Sequence, residues 1–416
     1  MTAPVDAATD TASAGELRDR MVDTLLDNHA IRTPEVEAVM RAVPRELFLP
    51  GVALTDVYNS HDVVRLRWDE NGRCISSASA PWLVARMLEQ ARLRPGHRVL
   101  EIGTATGVNS AYCSALVGQD DPAGAAGRVD SVEILPDMAQ AVREALDNAG
   151  VRNVNVILGD GEHGAPQGAP FDAIIVTVQA PDLATAWLDQ LKPGGRLVVP
   201  LTVRGLSRSF TFEPQGDHWI TTERLQCGFV NMQGEGANPP RRIELGQDAQ
   251  LVIDDGQPAD AHTLTAALST EAHQLPTAVL LGAGEDALPH MDMWLAVALD
   301  TFGHFVHVGD YAKPSTMGWT VGLGDAATWD QDSIAYVALH PRPDLERTYE
   351  LVAWGHGPNG RTLAEALADE VRLWDRDLRT GPEPVIRAYR AGTPDGNLAA
   401  GRVVNRRNTR MVLSRQ

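Results

Sequence analysis

The chain has 416 residues, with 55 acidic against 36 basic side chains and a formal net charge of −19. That balance excludes nucleic acid as the main partner, and the length allows roughly two or three domains with sizeable cores. Three widely spaced cysteines (Cys74, Cys113, Cys227) with no Cys-x-x-Cys pair argue against a disulfide framework or a zinc site, and fit a reducing cytoplasm. Residues 1–13, rich in Ala, Thr and Asp, read as a disordered tail. No signal peptide or membrane-spanning run is visible, so a cytoplasmic location is expected. A helix is expected over Glu16–Asn28, with Leu17, Met21, Val22, Leu25 and Leu26 on one face. Thr33-Pro34 opens a second helix, and Pro44 stops it. Gly51–Cys74 reads as irregular, and Pro81 starts a helix running to Gln90. Strands follow at Arg98–Ile102, Arg128–Val132, Val154–Leu158, Ala173–Thr177 and Arg196–Pro200, with helical segments such as Pro136–Ala149 between most of them. This alternation predicts a mostly parallel sheet covered on both faces. Lys192–Gly195 reads as a tight turn into the fifth strand, and Ser209–Val230 as an antiparallel hairpin closing the sheet. Gly234–Pro240 reads as a linker, so residues 14–236 form one expected domain. Beyond it, strands at Leu251–Ile253, Ala278–Leu281, Ile334–Leu339 and Tyr349–Trp354 and a helix at Leu363–Leu378 suggest a separate α+β domain over residues 241–416.

The stretch Val99-Leu-Glu-Ile-Gly-Thr-Ala-Thr-Gly107 carries the chemistry. An apolar strand ends in an acid, a Gly-rich turn follows, and a helix begins. Ligands of doubly wound sheets bind outside such strand ends, and the free N–H groups of the helix start suit an anionic group. The turn reads Gly-x-x-x-Gly, so the dinucleotide pattern Gly-x-Gly-x-x-Gly is not met. It resembles motif I of S-adenosylmethionine (SAM)-dependent methyltransferases. Glu133 ends the second strand, where a carboxylate can accept from both hydroxyls of a ribose or serve as a helix-start acid. Asp160, in Gly159-Asp-Gly161 after the third strand, can accept from an adenine amino group or belong to a plain Asp-Gly turn. Pro170–Thr177 leads to the topological switch point.

A closer resemblance rests on Met21-Val-Asp, Ala42-Val-Pro-Arg-Glu-Leu-Phe-Leu-Pro50, Ile75–Pro81, motif I and Gly159-Asp-Gly161. Together these resemble the protein-L-isoaspartate O-methyltransferase family over about Gly15 to Gly234. The resemblance implies a Rossmann-like α/β methyltransferase domain, with SAM as cofactor and methylation of a side-chain carboxylate in a peptide; the C-terminal α+β domain read from the pattern above departs from the family's repair enzymes, which are little more than the methyltransferase domain. It implies that Glu101, Gly103, Thr104, Thr106, Gly107, Glu133, Asp160 and Gly161 bind the cofactor, and that Ser77 and Ser79 hold the acceptor carboxylate. The family's repair pattern is Thr-x-Ser-Gln-Pro; here Ala80 stands in place of the amide, and Ala105 in place of the middle glycine of motif I. The second half resembles the extended members that tailor ribosomally made peptides such as lanthipeptides and graspetides, on the segments Arg204–Ser209, Cys227–Val230 and Trp354-Gly-His-Gly-Pro358. That subgroup implies methylation of an ordinary L-aspartate in a precursor peptide, leading to aspartimide or isoaspartate, with the second domain recognising the peptide. Isoaspartyl repair is the alternative.

A carboxylate is ionised at neutral pH (reference pKa about 4), so the reaction needs positioning and exclusion of water, not a base. Ser79 can also cap the helix begun at Pro81. Gly303-His-Phe-Val-His307 is the nearest approach to a metal pattern and reads as a strand or loop surface, so no metal is expected. Arg402, Arg406, Arg407, Arg410 and Arg415 read as a solvated edge strand or, with Arg204 and Arg208, as a basic surface guiding an acidic peptide.

Overall fold

The computed structural model describes residues 12–118, 127–254, 256–307 and 324–415. Most of the expected tail, residues 1–11, lies outside them. Five parallel strands lie in the order Val154–Leu158, Arg128–Glu133, Arg98–Ile102, Phe171–Val176 and Leu191–Val203. The chain therefore starts in the middle, winds outward one way, and returns to wind the other way. Arg98–Ile102 and Phe171–Val176 flank the switch point, the crevice where doubly wound sheets bind ligands. These strands are apolar on both faces, as burial between two helical layers requires: Val99, Leu100, Ile174, Ile175 and Val176 are all buried. Lys192–Gly195 is drawn into the long strand Leu191–Val203, with a register shift opposite Phe171–Ala173. Leu206–Gln215 and His218–Gln226 form the expected antiparallel hairpin.

Gly51–Cys74 is not wholly irregular. Val64–Trp68 pairs antiparallel with Cys74–Ala78 in a small hairpin carrying Ser77. Its strand Val64–Trp68 alternates apolar and basic residues, Val64-Arg-Leu-Arg-Trp68, the half-buried strand pattern, within a segment otherwise rich in Asp, Asn and Gly.

A second, seven-stranded antiparallel sheet runs Arg241–Glu244, Ala249–Ile253, Gly303–His307, Asp325–Trp329, Ile334–Pro341, Thr348–His356, His273–Gly282. The helix Gly360–Asp377 covers it with Ala364, Leu367, Ala368, Val371 and Trp374, one face at helical spacing. His304 is buried in this sheet, not on a surface.

The chain does not end in that unit. Val385–Arg390, Thr409–Ser414 and Arg402–Asn405 extend the first sheet, Val385–Arg390 pairing with His218–Gln226. The expected span 241–416 thus needs correction: its last strands belong to the first sheet, giving that sheet ten strands among the described residues. Side chains of both sheets share one buried cluster, in which Trp187, Phe210 and Met411 meet Met291, Leu295 and Trp374. Asp254 ties the sheets at their edge, accepting from the backbone N–H of Gly205 (3.3 Å) and from Arg204 N–H and the Arg406 guanidinium. No helix among the described residues is long and apolar enough to cross a membrane.

Candidate active site

At the switch point lies a cleft of about 550 Å³, a size suited to a cofactor. It is lined by Gly103 and Ala105 of the turn, by Glu133 and Gly161, by Thr177 and Val178, and by Ser77. The Gly-rich turn is tight because three of its residues have positive φ: Gly103 at 91°, Ala105 at 51° and Gly107 at 86°. Thr177 holds the turn from the neighbouring strand, its N–H and its hydroxyl each donating to the Ile102 carbonyl at 2.9 Å.

Ala105 sits where a side chain is disfavoured by about 1–2 kcal/mol, which explains why a glycine suits this position. An Ala-to-Gly change normally costs about 0.5–1 kcal/mol through backbone entropy. At Ala105 the two effects oppose. Ala105→Gly is therefore expected to leave stability within about 1 kcal/mol of the parent or slightly above it, while Ala105→Val lowers it by about 1–3 kcal/mol. Chemical denaturation of the two variants checks this.

Glu133 is 6 % exposed. Its Oε2 accepts from the Ala105 N–H and its Oε1 from the Leu135 N–H, both at 3.0 Å. Burial pushes its pKa up, opposed by those backbone donors. Glu101, by contrast, is fully buried behind the turn and is not part of the cleft wall. It accepts from Ser131 Oγ (2.6 Å), Asn109 Nδ2 (2.8 Å) and the Ser110 hydroxyl. Glu101 thus clamps the following helix to the sheet from behind the turn. Thr104 and Thr106 are likewise buried and used internally: Thr104 Oγ1 lies 2.7 Å from Ser131 Oγ, and Thr106 Oγ1 accepts from the Val108 N–H at 3.4 Å. Gly107 caps the helix Val108–Val117 without a side-chain bond; a Cβ there would lie 2.8 Å from Val142.

Asp160 and Gly161 divide in the same way. Gly161 faces the cleft, and a Cβ on it would stand 2.5 Å from Ile102 Cγ2. Asp160 turns to the chain that follows, Oδ1 accepting from Glu162 N–H (2.9 Å) and Oδ2 from Glu235 N–H (2.8 Å). Of the two expected serines, Ser77 lines the cleft and Ser79 does not. Nor does Ser79 cap the next helix: the N-cap of Pro81–Ala91 is Ala80, with no side-chain bond. The Ser79 backbone has another function. Its carbonyl accepts from Arg45 Nη2 at 2.9 Å, while Arg45 Nε donates to the Val57 carbonyl at 3.0 Å. Arg45 is 1 % exposed, so its cation holds the serine loop from inside the protein. Lysine cannot reproduce such a two-pronged contact. Arg45→Lys is expected to raise KM for the carboxylate substrate about tenfold, the loss of one charged hydrogen bond, with SAM affinity unchanged. Steady-state kinetics against each substrate check this.

Sequence reasoning missed the wall formed by Ile75, Val178, Val230, Met232 and Gln233. The segment Val230–Gln233 has no periodic signal; it is held by backbone bonds, Gln179 N–H to the Val230 carbonyl (2.8 Å) and Met232 N–H to the Gln179 carbonyl (3.0 Å). Gln233 Nε2 reaches the Ile75 carbonyl at 3.2 Å and so joins it to the serine hairpin. The expected basic surface is also corrected. Arg204 and Arg208 are buried. Arg402 donates to the carbonyls of Val297 and Ala298 at the end of a helix, Arg406 pairs with Asp254, Arg407 with Glu162, and Arg410 with Asp395. These cations are committed to internal contacts.

The strand order and the Gly-rich turn at its switch point define a Rossmann-like methyltransferase unit. Residues 16–236, more than half of the chain, match the protein-L-isoaspartate(D-aspartate) O-methyltransferase family, and the chain belongs to that family. It is accordingly a SAM-dependent protein carboxyl O-methyltransferase. The protein-L-isoaspartate O-methyltransferase of Hyperthermus butylicus is 37% identical over 226 residues, covering 53% of this chain and 90% of the relative. A solved protein-L-isoaspartate O-methyltransferase is 20% identical, covering 89% of this chain and 96% of its own, with a TM-score of 0.49. A putative Plasmodium falciparum protein-L-isoaspartate O-methyltransferase, solved in complex with S-adenosyl-L-homocysteine, is 18% identical, covering 52% of this chain and 98% of its own, with a TM-score of 0.45.

Proposed function

We propose that this cleft transfers a methyl group from SAM to the free carboxylate of an isoaspartyl residue in a polypeptide. The observation that carries this reading is that every residue lining the cleft, Ser77 included, falls within the family-matched span 16–236. The residues fit the cofactor. An ionised carboxylate has about four acceptor positions. Backbone N–H groups fill two on Glu133, leaving two for the hydroxyls of a ribose. Gly103 and Gly161 let the turns that line the cleft pack against Thr177, Val178 and Ile102, which a Cβ would meet at 2.5–3.0 Å. The start of Val108–Val117, where a side chain takes only the Val108 N–H, suits the anionic end of the cofactor.

Bound SAM supplies an electrophilic methyl on a sulfonium. The protein's part is positioning. The Ser77 hydroxyl donates to one oxygen of the acceptor carboxylate and leaves the other free to attack. The acceptor gives up its charge on becoming an ester, so the apolar walls of Ile75, Val178 and Met232 favour reaction by keeping water out. No proton is moved.

A second reading is tailoring of an L-aspartate in a ribosomally made precursor peptide. Ala80, where the repair pattern has an amide, and the added seven-stranded sheet favour it. In either reading the added sheet is assigned to recognition of the polypeptide. Mass spectrometry of the protein with SAM and two substrates tests them: an isoaspartyl peptide, and the modified precursor encoded beside the gene. Methylation of the isoaspartyl peptide is the expected result. Methylation of the precursor alone, followed by loss of methanol for a net loss of one water from the starting precursor, would replace it with the tailoring reading.

A further inference from the structure

We propose that the turn Arg406-Arg407-Asn408 positions the cofactor site: through Glu162 it holds the Gly161 turn of the cleft in its binding shape. This rests on the reading that the cleft binds SAM. The turn joins the strands Arg402–Asn405 and Thr409–Ser414 and is closed by the Arg406 N–H, which donates to the Thr409 carbonyl at 2.8 Å. From it Arg407 Nη2 pairs with the Glu162 carboxylate, and Asn408 Nδ2 donates to Glu162 Oε1 at 3.0 Å. Arg407 Nη1 also donates to the Glu235 carbonyl at 2.6 Å. The turn is itself anchored on Asp182, which accepts from the Asn408 N–H (2.6 Å) and from the Thr409 hydroxyl.

The two gripped residues continue directly from the cleft. Gly161 and Gln233 line it; Glu162 is the next residue after the first, and Glu235 is two beyond the second. Asp160 joins the same two segments, accepting from the Glu162 N–H at 2.9 Å and the Glu235 N–H at 2.8 Å. The Glu162 side chain is 12 % exposed, and a Cβ on Gly236 would lie 2.5 Å from its Oε2. Its carboxylate is therefore enclosed by the linker on one side and by the Arg407 turn on the other.

Glu162 and Arg407 do not themselves line the cleft, so they act through Gly161 and not on the reacting atoms. A site held in shape before its ligand arrives loses less freedom on binding. When the hold is released, only the fraction of molecules with the turn in place binds, and the apparent affinity falls by that fraction. The consequence falls on SAM affinity and leaves the transfer step alone. The Glu162–Arg407 pair spans 245 positions, so a site built within residues 16–236 is braced from a turn far beyond them.

The experiment uses the full chain and combines calorimetric titration of SAM, hydrogen exchange without cofactor, and kinetics on an isoaspartyl peptide. Glu162→Ala is expected to weaken SAM binding about tenfold, as for the loss of one charged hydrogen bond. Glu162→Gln, which keeps an acceptor oxygen, recovers part of that loss. Arg407→Ala weakens binding about threefold, because its ion pair is half-exposed and contributes less. In the cofactor-free Glu162→Ala chain the amides of residues 162–164 exchange faster, while kcat at saturating SAM and the KM for the peptide hold. Arg410→Ala is the control: it removes an ion pair of the same two strands, with Asp395, that does not reach the cleft, and SAM affinity is expected to stay at the parent value. Unaltered SAM affinity in Glu162→Ala, or an equal loss in Arg410→Ala, would overturn the positioning role. Glu133→Gln, run beside them, separates that failure from another: unaltered affinity in both Glu133→Gln and Glu162→Ala would overturn the cleft as the cofactor's site. Titration and exchange need no turnover, so they decide the role even where the isoaspartyl peptide does not react.

Discussion

Glu133→Gln is expected to weaken SAM binding about 100-fold, with little change in the substrate's own interactions. The carboxylate already accepts two backbone N–H groups, and the proposed complex adds two ribose hydroxyls. A glutamine presents one acceptor oxygen and an NH2 that confronts the Ala105 or Leu135 donor. Charged hydrogen bonds contribute about 1.5–3 kcal/mol each, and tenfold in affinity is about 1.4 kcal/mol. The same geometry sets a pH dependence. Burial raises the Glu133 pKa above its ordinary value of 4.5, and the protonated form carries an O–H where an acceptor is needed. SAM affinity therefore rises as pH climbs from 4.5 through the raised pKa, then levels off. In folding terms the sign is opposite: the proton is held more tightly in the folded chain, so this group's contribution to stability falls as pH rises over that window. Calorimetric titration of SAM over a pH series should show the slope in the parent and its loss in Glu133→Gln. Equal affinities at all pH values would remove Glu133 from the ribose site.

Gly103→Ala is expected to abolish measurable SAM binding and to lower the melting temperature by several degrees. At φ 91° a residue with a Cβ costs about 1–3 kcal/mol. The new methyl would also lie 2.8 Å from Thr177 Oγ1 and 3.0 Å from Val178 Cγ1. Thr177 cannot easily yield, because its hydroxyl is bound to the Ile102 carbonyl at 2.9 Å. The double variant Gly103→Ala/Thr177→Ala separates the two causes. It is expected to recover part of the stability, since the collision with Oγ1 is relieved and the backbone strain is not. Thermal unfolding of the single and double variants, with SAM titrations, checks this. Unaltered binding by Gly103→Ala would mean that the turn is not the cofactor's floor.

Where sequence reasoning succeeded, the signal was local. Strand Arg98–Ile102 and the turn after it were legible because apolar runs, an acid and glycines occur together over a few residues. The strand Val154–Leu158 and the helix Gly360–Asp377 were legible through pattern and period. What failed depended on partners distant in sequence. Nothing in Val385–Ser414 indicates pairing with Trp219 and Ile220; an edge strand accepts a neighbour through backbone groups that carry no residue code. Motif membership located Glu101 but not its role, because whether a carboxylate faces a cleft or Ser110 and Ser131 is decided by the packing of a helix and a second strand. The same holds for Arg45. Its motif was readable, but its grip on the Ser79 carbonyl joins residues 34 positions apart. Arg204 and Arg208 looked like surface cations until the second sheet covered them.

The proposed transfer of a methyl group from SAM to an isoaspartyl carboxylate is decided by mass spectrometry of an isoaspartyl peptide, and of its aspartyl isomer, after incubation with the full chain and SAM. The isoaspartyl peptide alone is expected to gain one methyl group as an ester, and Glu133→Gln to slow the gain in proportion to its loss of SAM affinity. Methylation of the aspartyl isomer with the isoaspartyl peptide untouched would contradict it.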